Sequence, residues 1–379
     1  MTPMLPAARG ETPSLADVLT SAVAAVEGRA NRLELPPVRS AAVILVDGLG
    51  MSALRSRAGH ARRLLEAVPR RRGSLDAGFP TTTAAALATL TTGLAAGEHG
   101  LIGYSALDRE NDRVVNQLRG WDARARAELW QPHPTVFERA AAQGIDPVVI
   151  GAERYRDTGF TTAVLRGARF VAHRSVAERV EAALELLRGG ERRLVYVYIP
   201  ELDQAGHAEG CGSAAWTRRL EELDAALGPL AQGAPRDAGV LLTADHGMLD
   251  IPAERRLVIG ADSPLWEGVR HVAGEPRCLH LQVEDAARAA AVVERWRASE
   301  GGRAWVVSRR EAIDAGWYGP VAPPVEDRIG DVIVAARAEV VWYDERSSDR
   351  TALAMVGQHG SFSDAERRVP LARWGAFGV

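Results

Sequence analysis

The chain has 379 residues, of which 46% are hydrophobic and 25% are charged, and a chain of this kind can fold as one large globular domain carrying a smaller inserted one. The formal net charge of -3 and the sequence pI near 6.3 provide no broad cationic field, so the composition does not support a nucleic-acid-binding surface. Any anionic substrate must therefore be held by local groups.

The N-terminal segment 1–28 contains no basic stretch followed by an apolar core and a cleavage site, so it does not resemble a secretory signal. No uninterrupted apolar run is long enough to span a membrane. The two cysteines, Cys211 and Cys278, stand in unrelated contexts, which favours inert core thiols over a disulfide framework. Together these features predict a cytoplasmic protein without a membrane segment.

The first predicted element is a helix from Ser14 to Glu27, because its apolar residues recur on one helical stripe and Ser14 and Asp17 have the spacing of a capping box. Short apolar runs rich in β-branched residues follow along the chain and predict buried strands. These runs are Ala41 to Val46, Pro147 to Ile150, Leu194 to Ile199 and Val240 to Thr243.

Helical patterns at Ser175 to Leu187 and at Ala214 to Leu227 alternate with these strands. The strands are continuously hydrophobic rather than alternating, which indicates burial on both faces. We therefore predict an α/β fold with a mostly parallel central sheet sandwiched by helices.

The pattern changes between about Pro252 and Asp327. A strand at Cys278 to Val283, a helix at Asp285 to Arg297 and a strand at Trp305 to Val307 predict a small α+β unit here. We interpret 252–327 as an inserted cap over the site, with the core formed by 1–251 and 328–379. The segments Asp331 to Ala335 and Val340 to Trp342 are predicted to return to the main sheet.

Acidic and histidine side chains follow the predicted strands or stand in glycine-flanked loops, and open parallel sheets build their sites at the carboxyl ends of their strands. The motifs are VDGLG with Asp47, ELDQAGH with Asp203 and His207, TADHG with Asp245 and His246, and QHGS with His359. Taken singly, each histidine is equally well explained as a surface or satisfied core residue.

Taken together, these six side chains supply enough ligands for two ions that each keep a coordination position open for substrate. Two structural zinc sites would normally use more cysteine. The economical interpretation is a two-metal hydrolytic centre, with zinc as the favoured divalent ion.

A run of three threonines, Thr81 to Thr83, precedes a predicted helix that ends at Gly93. Thr83 is predicted as the N-cap of this helix, where the helix amides and dipole favour a phosphoryl group and a metal would lower the pKa of the hydroxyl. The residues by themselves leave two roles open for Thr83, a nucleophile or a helix cap.

In this order, the motifs VDGLG, FPTTT, GEHG, ELDQAGH, TADHG and QHGS resemble the nucleotide pyrophosphatase/phosphodiesterase family of the alkaline phosphatase superfamily. The resemblance implies one zinc ion held by Asp203, His207 and His359. It implies a second zinc ion held by Asp47, Asp245, His246 and the hydroxyl of Thr83. Thr83 is then the nucleophile, with Thr82 as the alternative register, and His99 of GEHG matches a structural histidine of the family.

The implied activity is metal-dependent hydrolysis of a phosphodiester or phosphoanhydride through a covalent threonine intermediate, with a small molecule such as a nucleotide as substrate. One departure from the family pattern is Ala86, which stands where an asparagine commonly helps to bind a phosphate oxygen. The amides of Ala84 and Ala85 or the hydroxyl of Thr82 are candidate replacements.

Sulfatases of the superfamily are disfavoured because the threonine segment has no cysteine. A phosphomonoesterase, a metal-dependent phosphomutase and a metal-binding homologue with impaired catalysis stay open as alternatives. Specificity is expected to lie in 101–130 and in the inserted segment. Tyr104, Trp121, Trp130 and Trp266 are the candidates there for stacking on a base, although each is equally a candidate for packing.

Overall fold

The computed structural model of the chain describes residues 4–6, 12–347 and 351–378. The strands are β1 (Ser40–Val46), β2 (Ser74–Asp76), β3 (Ser105–Asp108), β4 (Arg113–Asn116), β5 (Asp146–Gly151), β6 (Arg169–Ala172), β7 (Arg193–Ile199), β8 (Ala238–Thr243), β9 (Leu249–Asp250), β10 (Arg256–Ile259), β11 (Val269–Glu275), β12 (Cys278–Val283), β13 (Ala304–Ser308), β14 (Val332–Ala336), β15 (Val341–Asp344), β16 (Gly357–Gln358), β17 (Arg368–Pro370) and β18 (Ala372–Gly375).

The α-helices are α1 (Ala16–Val26), α2 (Met51–Ser56), α3 (Arg62–Glu66), α4 (Thr83–Thr92), α5 (Ala96–His99), α6 (Ala127–Trp130), α7 (Val136–Ala142), α8 (Gly159–Leu165), α9 (Val176–Arg188), α10 (Glu201–Glu209), α11 (Ala214–Ala226), α12 (Gly228–Gly233), α13 (Ala289–Glu300), α14 (Arg309–Asp314), α15 (Pro323–Glu326) and α16 (Asp364–Arg367). Short 3-10 helices occur at Ala58–His60, Glu153–Tyr155, Ala253–Arg255, Pro264–Trp266, Ala286–Arg288 and Thr351–Ala354.

The main sheet has the strand order β18-β8-β1-β7-β5-β6. All its pairings are parallel except that of the edge strand β18 with β8. The four strands predicted from apolar runs are the four central ones, and β1 and β8 are buried along their whole length. The predicted α/β fold with a mostly parallel sheet is therefore confirmed.

Helices cover this sheet and are capped largely as the sequence indicates. In α9, Ser175 and Glu178 form the predicted capping box, and the helix packs against β7 and β5. Before α1, the Asp17 carboxylate accepts a hydrogen bond of 2.8 Å from the Ser14 amide. The apolar residues of both helices lie in the main hydrophobic core.

A second, antiparallel sheet has the order β11-β12-β14-β13. The predicted strand Cys278–Val283 is β12, but two other assignments are wrong. The segment predicted at Asp331 to Ala335 forms β14 in the second sheet, and that at Val340 to Trp342 overlaps β15, which pairs with β10. A buried apolar run predicts a strand without specifying its partner. The chain rejoins the main sheet only at β18.

The second sheet packs beside the segment that carries the threonine run. A shared hydrophobic cluster joins Phe79 and Ile102 to Val307 and Ile333 of that sheet. Its other face has a separate core around Trp296 of α13. The division of the chain into a core and an inserted cap at 252–327 stays a prediction.

Candidate active site

Three neighbouring parallel strands end at the same edge of the main sheet. Val46 of β1 aligns with Ile199 of β7, and β8 lies on the other side of β1. Asp47 follows β1 directly, and Gly48 turns the chain with φ +73°. A Cβ atom at Gly48 would lie 3.0 Å from the Cα of Asp203, so glycine permits both the turn and this close approach.

Asp203 and His207 lie one turn apart on α10, which starts directly after β7. The Asp203 Oδ1 and His207 Nε2 atoms are 3.3 Å apart. The i, i+4 spacing read from ELDQAGH therefore directs both side chains to one point.

Asp245 and His246 follow β8, where the chain leaves regular structure. Asp245 Oδ1 accepts hydrogen bonds from the amides of Gly48, at 3.2 Å, and His246, at 2.9 Å. His246 Nε2 lies 3.4 Å from Asp245 Oδ2 and 3.5 Å from Asp47 Oδ1. Two adjacent residues thus reach one site because backbone amides orient the first of them.

His359 enters from the far end of the chain. It follows β16, which pairs with β9 only a few residues beyond His246. The His359 ring stacks on the His246 ring with centroids 3.7 Å apart, and its Nε2 lies 3.3 Å from Nε2 of His207. The residue 112 positions after His246 therefore completes the cluster through tertiary structure.

All three histidines present an Nε2 lone pair to this cluster. Nδ1 lies 2.8 Å from the Gly357 carbonyl in His207, 3.2 Å from the Gly247 carbonyl in His246 and 2.7 Å from the Thr81 carbonyl in His359. A carbonyl only accepts hydrogen bonds, so Nδ1 carries the proton and Nε2 of each neutral ring is a free acceptor. Two such acceptors 3.3 Å apart suit a shared cation.

The carboxylates show the same deficiency of donors. Among the described residues, no donor hydrogen-bonds to the buried oxygens Asp47 Oδ1, Asp203 Oδ1 and Asp245 Oδ2. Burial, with repulsion from Asp245 and Asp203, raises the pKa of Asp47 well above its usual range. Burial also raises the pKa of Asp203. Bound cations would remove both penalties.

These observations fit a centre that holds metal ions. Two sets of side chains bring ligand atoms within 4.8 Å of one another, namely Asp203, His207 and His359, and Asp47, Asp203 and His246. Carboxylate oxygen and imidazole nitrogen are ligands for zinc and similar divalent ions. The structure thus brings all six predicted ligands together, with Asp203 common to both sets.

Thr83 points into this centre, although its position in the helix differs by one residue from the prediction. Thr82 has extended backbone angles and is the N-cap, and Thr83 is the first residue of α4. The helix begins here because the Thr82 carbonyl accepts the first intrahelical hydrogen bond, from Ala86. The Thr83 hydroxyl lies 3.2 Å from His246 Nε2.

A cavity of about 1020 Å³ opens from this centre. Asp47, Thr83, Asp203 and His207 form its inner end. Side chains that the sequence analysis did not single out form most of the remaining wall: Leu87, Leu118, Arg119, Arg154, Tyr155, Phe160, Leu165, Tyr196 and Tyr198.

The predicted aromatic candidates do not line this cavity. Trp130 is buried and packs edge-on against Trp121, and Trp266 is buried against Trp296. Their role is packing. No described residue of 252–327 lines the cavity either, and that segment instead approaches the site through Glu275, which contacts Gly360.

The comparison with known families agrees with this geometry. The family model for type I phosphodiesterase/nucleotide pyrophosphatase matches residues 41–362. The chain belongs to this family. The match includes every predicted ligand and Thr83.

Solved structures support the same fold. Murine ectonucleotide pyrophosphatase/phosphodiesterase 5, solved as an inactive variant with AMP, is 17% identical, with a TM-score of 0.68 over 88% of this chain and 87% of that one. Phosphonoacetate hydrolase from Sinorhizobium meliloti 1021, solved with phosphonoacetate, is 18% identical, with a TM-score of 0.69 over 89% of this chain and 91% of that one. Both likenesses concern the fold.

Venom phosphodiesterase 2 from Crotalus adamanteus is 26% identical over 185 residues, which are 47% of this chain and 22% of that protein. This chain therefore aligns with only about a fifth of that relative's length. In the described part of the chain, no helix combines the length and apolarity needed to cross a membrane.

Two positions that the family pattern singles out are structural in this phosphodiesterase-family chain. His99 is fully buried, accepts a hydrogen bond from the Leu101 amide through Nδ1 and contacts the Thr89 hydroxyl at 3.0 Å through Nε2. Burial lowers the pKa of His99 to about 3. Ala86 packs in the main core, so the missing asparagine leaves no polar gap there.

Tyr198 is a site residue that the sequence analysis missed. Its hydroxyl donates to Asp47 Oδ2, and burial together with Asp47 raises its pKa, so the hydroxyl stays protonated. The available signal was a tyrosine near the end of the apolar strand VYVYI, directly before the ELDQAGH motif. Such a hydrogen bond orients a metal ligand.

We expect Tyr198→Phe to weaken zinc binding by roughly tenfold, because Asp47 loses the donor that orients its carboxylate. Competition with a chromogenic chelator measures the affinity. Tyr196→Phe is the matched control, since the Tyr196 hydroxyl is buried on the same strand without a hydrogen-bond partner among the described residues. Equal affinities for the two variants would contradict this role of Tyr198.

Proposed function

We propose that this chain hydrolyses a phosphodiester or phosphoanhydride bond in a metal-dependent reaction with Thr83 as the nucleophile. The observation that carries the proposal is the position of the Thr83 hydroxyl, 3.2 Å from His246 Nε2 at the inner end of a cavity. Around it stand carboxylate oxygens and imidazole nitrogens that have no protein cation or donor to satisfy them among the described residues.

In our proposal, Asp203, His207 and His359 hold one zinc ion, and Asp47, Asp245, His246 and Thr83 hold the second. Bound there, the ions would lower the pKa of the Thr83 hydroxyl and stabilise charge on the phosphoryl oxygens.

The chain's own groups position the substrate. The Thr83 oxygen attacks phosphorus in line with the leaving oxygen, and water later cleaves the phosphorylated or nucleotidylated threonine. The first helical hydrogen bond of α4 is donated by Ala86, so the amides of Thr83, Ala84 and Ala85 have no partner within the helix. These amides and the helix dipole replace the family asparagine as donors to a phosphate oxygen.

The relatives support this activity without deciding the substrate. The murine neighbour is inactive when one threonine is replaced by alanine and was solved with AMP, and the venom relatives are named phosphodiesterases. We propose a small phosphate ester or anhydride, such as a nucleotide, as the substrate. The cytoplasmic location remains a prediction.

Chromogenic substrates separate the alternatives. We expect the zinc-loaded protein to hydrolyse bis(p-nitrophenyl) phosphate faster than p-nitrophenyl phosphate, because the cavity extends beyond the metal-binding end and can hold a second ester arm. A preference for the monoester would favour a phosphomonoesterase. Zinc binding with no turnover of either ester, or of a nucleotide panel, would favour a phosphomutase or an impaired homologue.

We expect elemental analysis of protein purified without chelator to find two zinc ions per chain, and His359→Ala to retain one. His359 belongs to only one of the two ligand sets. His271→Ala is the control, since His271 pairs with Asp112 at the surface. One ion in the unmodified protein, or two in His359→Ala, would contradict the assignment.

A further inference from the structure

The cavity changes character away from the metal-binding end. Its middle wall is apolar and aromatic, with Leu118, Phe160 and Leu165. Two exposed arginines, Arg119 and Arg154, line it as well. Among its described lining residues, the carboxylates are Asp47 and Asp203, both in the metal centre. The cavity is therefore acidic at one end and cationic elsewhere.

Arg154 has a defined place in this wall. Its guanidinium lies 4.7 Å from the centroid of the Tyr155 ring and donates to the Tyr155 hydroxyl at 3.1 Å. The Tyr155 ring packs edge-on against Tyr198, with centroids 5.5 Å apart, and Tyr198 donates to Asp47. Arg154 thus lies two aromatic rings away from a proposed metal ligand.

Arg119 is held on the same cavity by a different segment. Its amide donates to the Asn116 side chain at 3.0 Å, which shapes the turn after β4. Two residues later, Trp121 packs so closely against the start of α8 that a Cβ at Gly159 would lie 2.4 Å from the Trp121 Cβ. The next residue, Phe160, lines the cavity, so this packing holds the Arg119 segment beside the Arg154 wall.

Neither arginine is neutralised by the protein. In the described residues, no carboxylate forms an ion pair with Arg119 or Arg154, whereas the nearby Glu153 pairs with Arg156 at 2.8 Å and Asp122 pairs with Arg113 at 2.6 Å. Guanidinium groups bind carboxylates and phosphates through paired donors. Two of them with free donors on a substrate cavity suit an anionic group.

We infer that the substrate carries a second anionic group, a carboxylate or a phosphate, separated from the scissile phosphate by an apolar or aromatic spacer, and that Arg119 and Arg154 bind it. This inference rests on the proposed function, because the scissile phosphate is placed at Thr83. The apolar middle wall accommodates the spacer, and the arginines determine specificity without contacting the reacting atoms.

Matched diesters test the inference. Phenyl p-nitrophenyl phosphate and 4-carboxyphenyl p-nitrophenyl phosphate differ only in the carboxylate, and a 4-phosphonophenyl analogue distinguishes the two anions. We expect kcat/KM about tenfold higher for the charged esters, mainly through KM. Arg119→Gln and Arg154→Gln should each remove most of this preference and leave the phenyl ester within about twofold of the unmodified enzyme. Arg156→Gln, outside the cavity wall, should retain the preference.

Binding gives a readout that does not require turnover. Calorimetric titration of zinc-loaded protein with 4-carboxyphenyl phosphate and phenyl phosphate should show the same preference and its loss in both arginine variants. If the phenyl diester is hydrolysed but the charged group improves neither rate nor binding, the inference is wrong and the proposed function stands. If no diester is hydrolysed, the proposed function fails, and the titration alone decides whether the arginines bind the anion.

Discussion

Replacing Thr83 by alanine is expected to lower diesterase activity by roughly a thousandfold or more, because the substitution removes the proposed nucleophilic atom. The six Asp and His ligands remain, so zinc should still bind. Steady-state hydrolysis of bis(p-nitrophenyl) phosphate measures the activity, and elemental analysis measures the zinc content. Thr83→Ser keeps a hydroxyl and should retain measurable activity.

Thr82→Ala is the matched control within the same turn. Thr82 is buried beside Glu275, and its hydroxyl hydrogen-bonds to that carboxyl group, so the change should cost about 1 kcal/mol of stability and leave most activity. If Thr83→Ala keeps near-full activity and Thr82→Ala loses it, the nucleophile is Thr82. If neither variant loses activity, covalent catalysis by this threonine run is wrong.

Arg277→Met is expected to destabilise the fold by about 3 to 5 kcal/mol, because it leaves the buried Glu366 without its cation. Arg277 and Glu366 are almost fully buried and form a bidentate pair with N–O distances of 2.7 and 2.9 Å. Burial opposes the ionisation of Glu366, but Arg277 outweighs it and lowers its pKa. Urea unfolding at neutral pH measures the change in free energy.

The same substitution should also weaken zinc binding. Glu366 accepts the Ser361 amide at 2.9 Å, and Ser361 follows His359 by two residues, so the pair between the second sheet and α16 holds the His359 loop. Arg255→Met is the control, since Arg255 and Glu339 form an exposed pair that should contribute less than about 1 kcal/mol. A loss for Arg277→Met as small as that of the control would contradict the prediction.

Much of the fold and of the metal centre was predictable from sequence because the relevant signals are local. The central strands are continuous apolar runs, and a run buried on both faces differs in composition from its surroundings. The ligands could be found because five of them stand at or just after the ends of such strands. Parallel pairing then places those ends at one edge, whatever the detailed register.

Partner choice and fine geometry were not local in this sense. The run at Val332–Ala336 predicts a strand equally well in either sheet, and only its packing between β12 and β13 assigns it to the second. The helix start at Thr83 rather than Ala84 depends on backbone angles within three identical threonines. Pairing of β16 with β9, which positions His359, depends on residues about 100 positions apart.

The sequence by itself therefore determined the α/β core and the residues that form the metal centre, since both follow from hydrophobic runs and the polar residues attached to them. Only the tertiary structure decided the cavity. Its walls come from 118–119 and 154–165, which are distant in sequence from each other and from Asp47. The same aromatic and arginine residues pack or pair elsewhere in the chain, so their role depends on which segments meet around them.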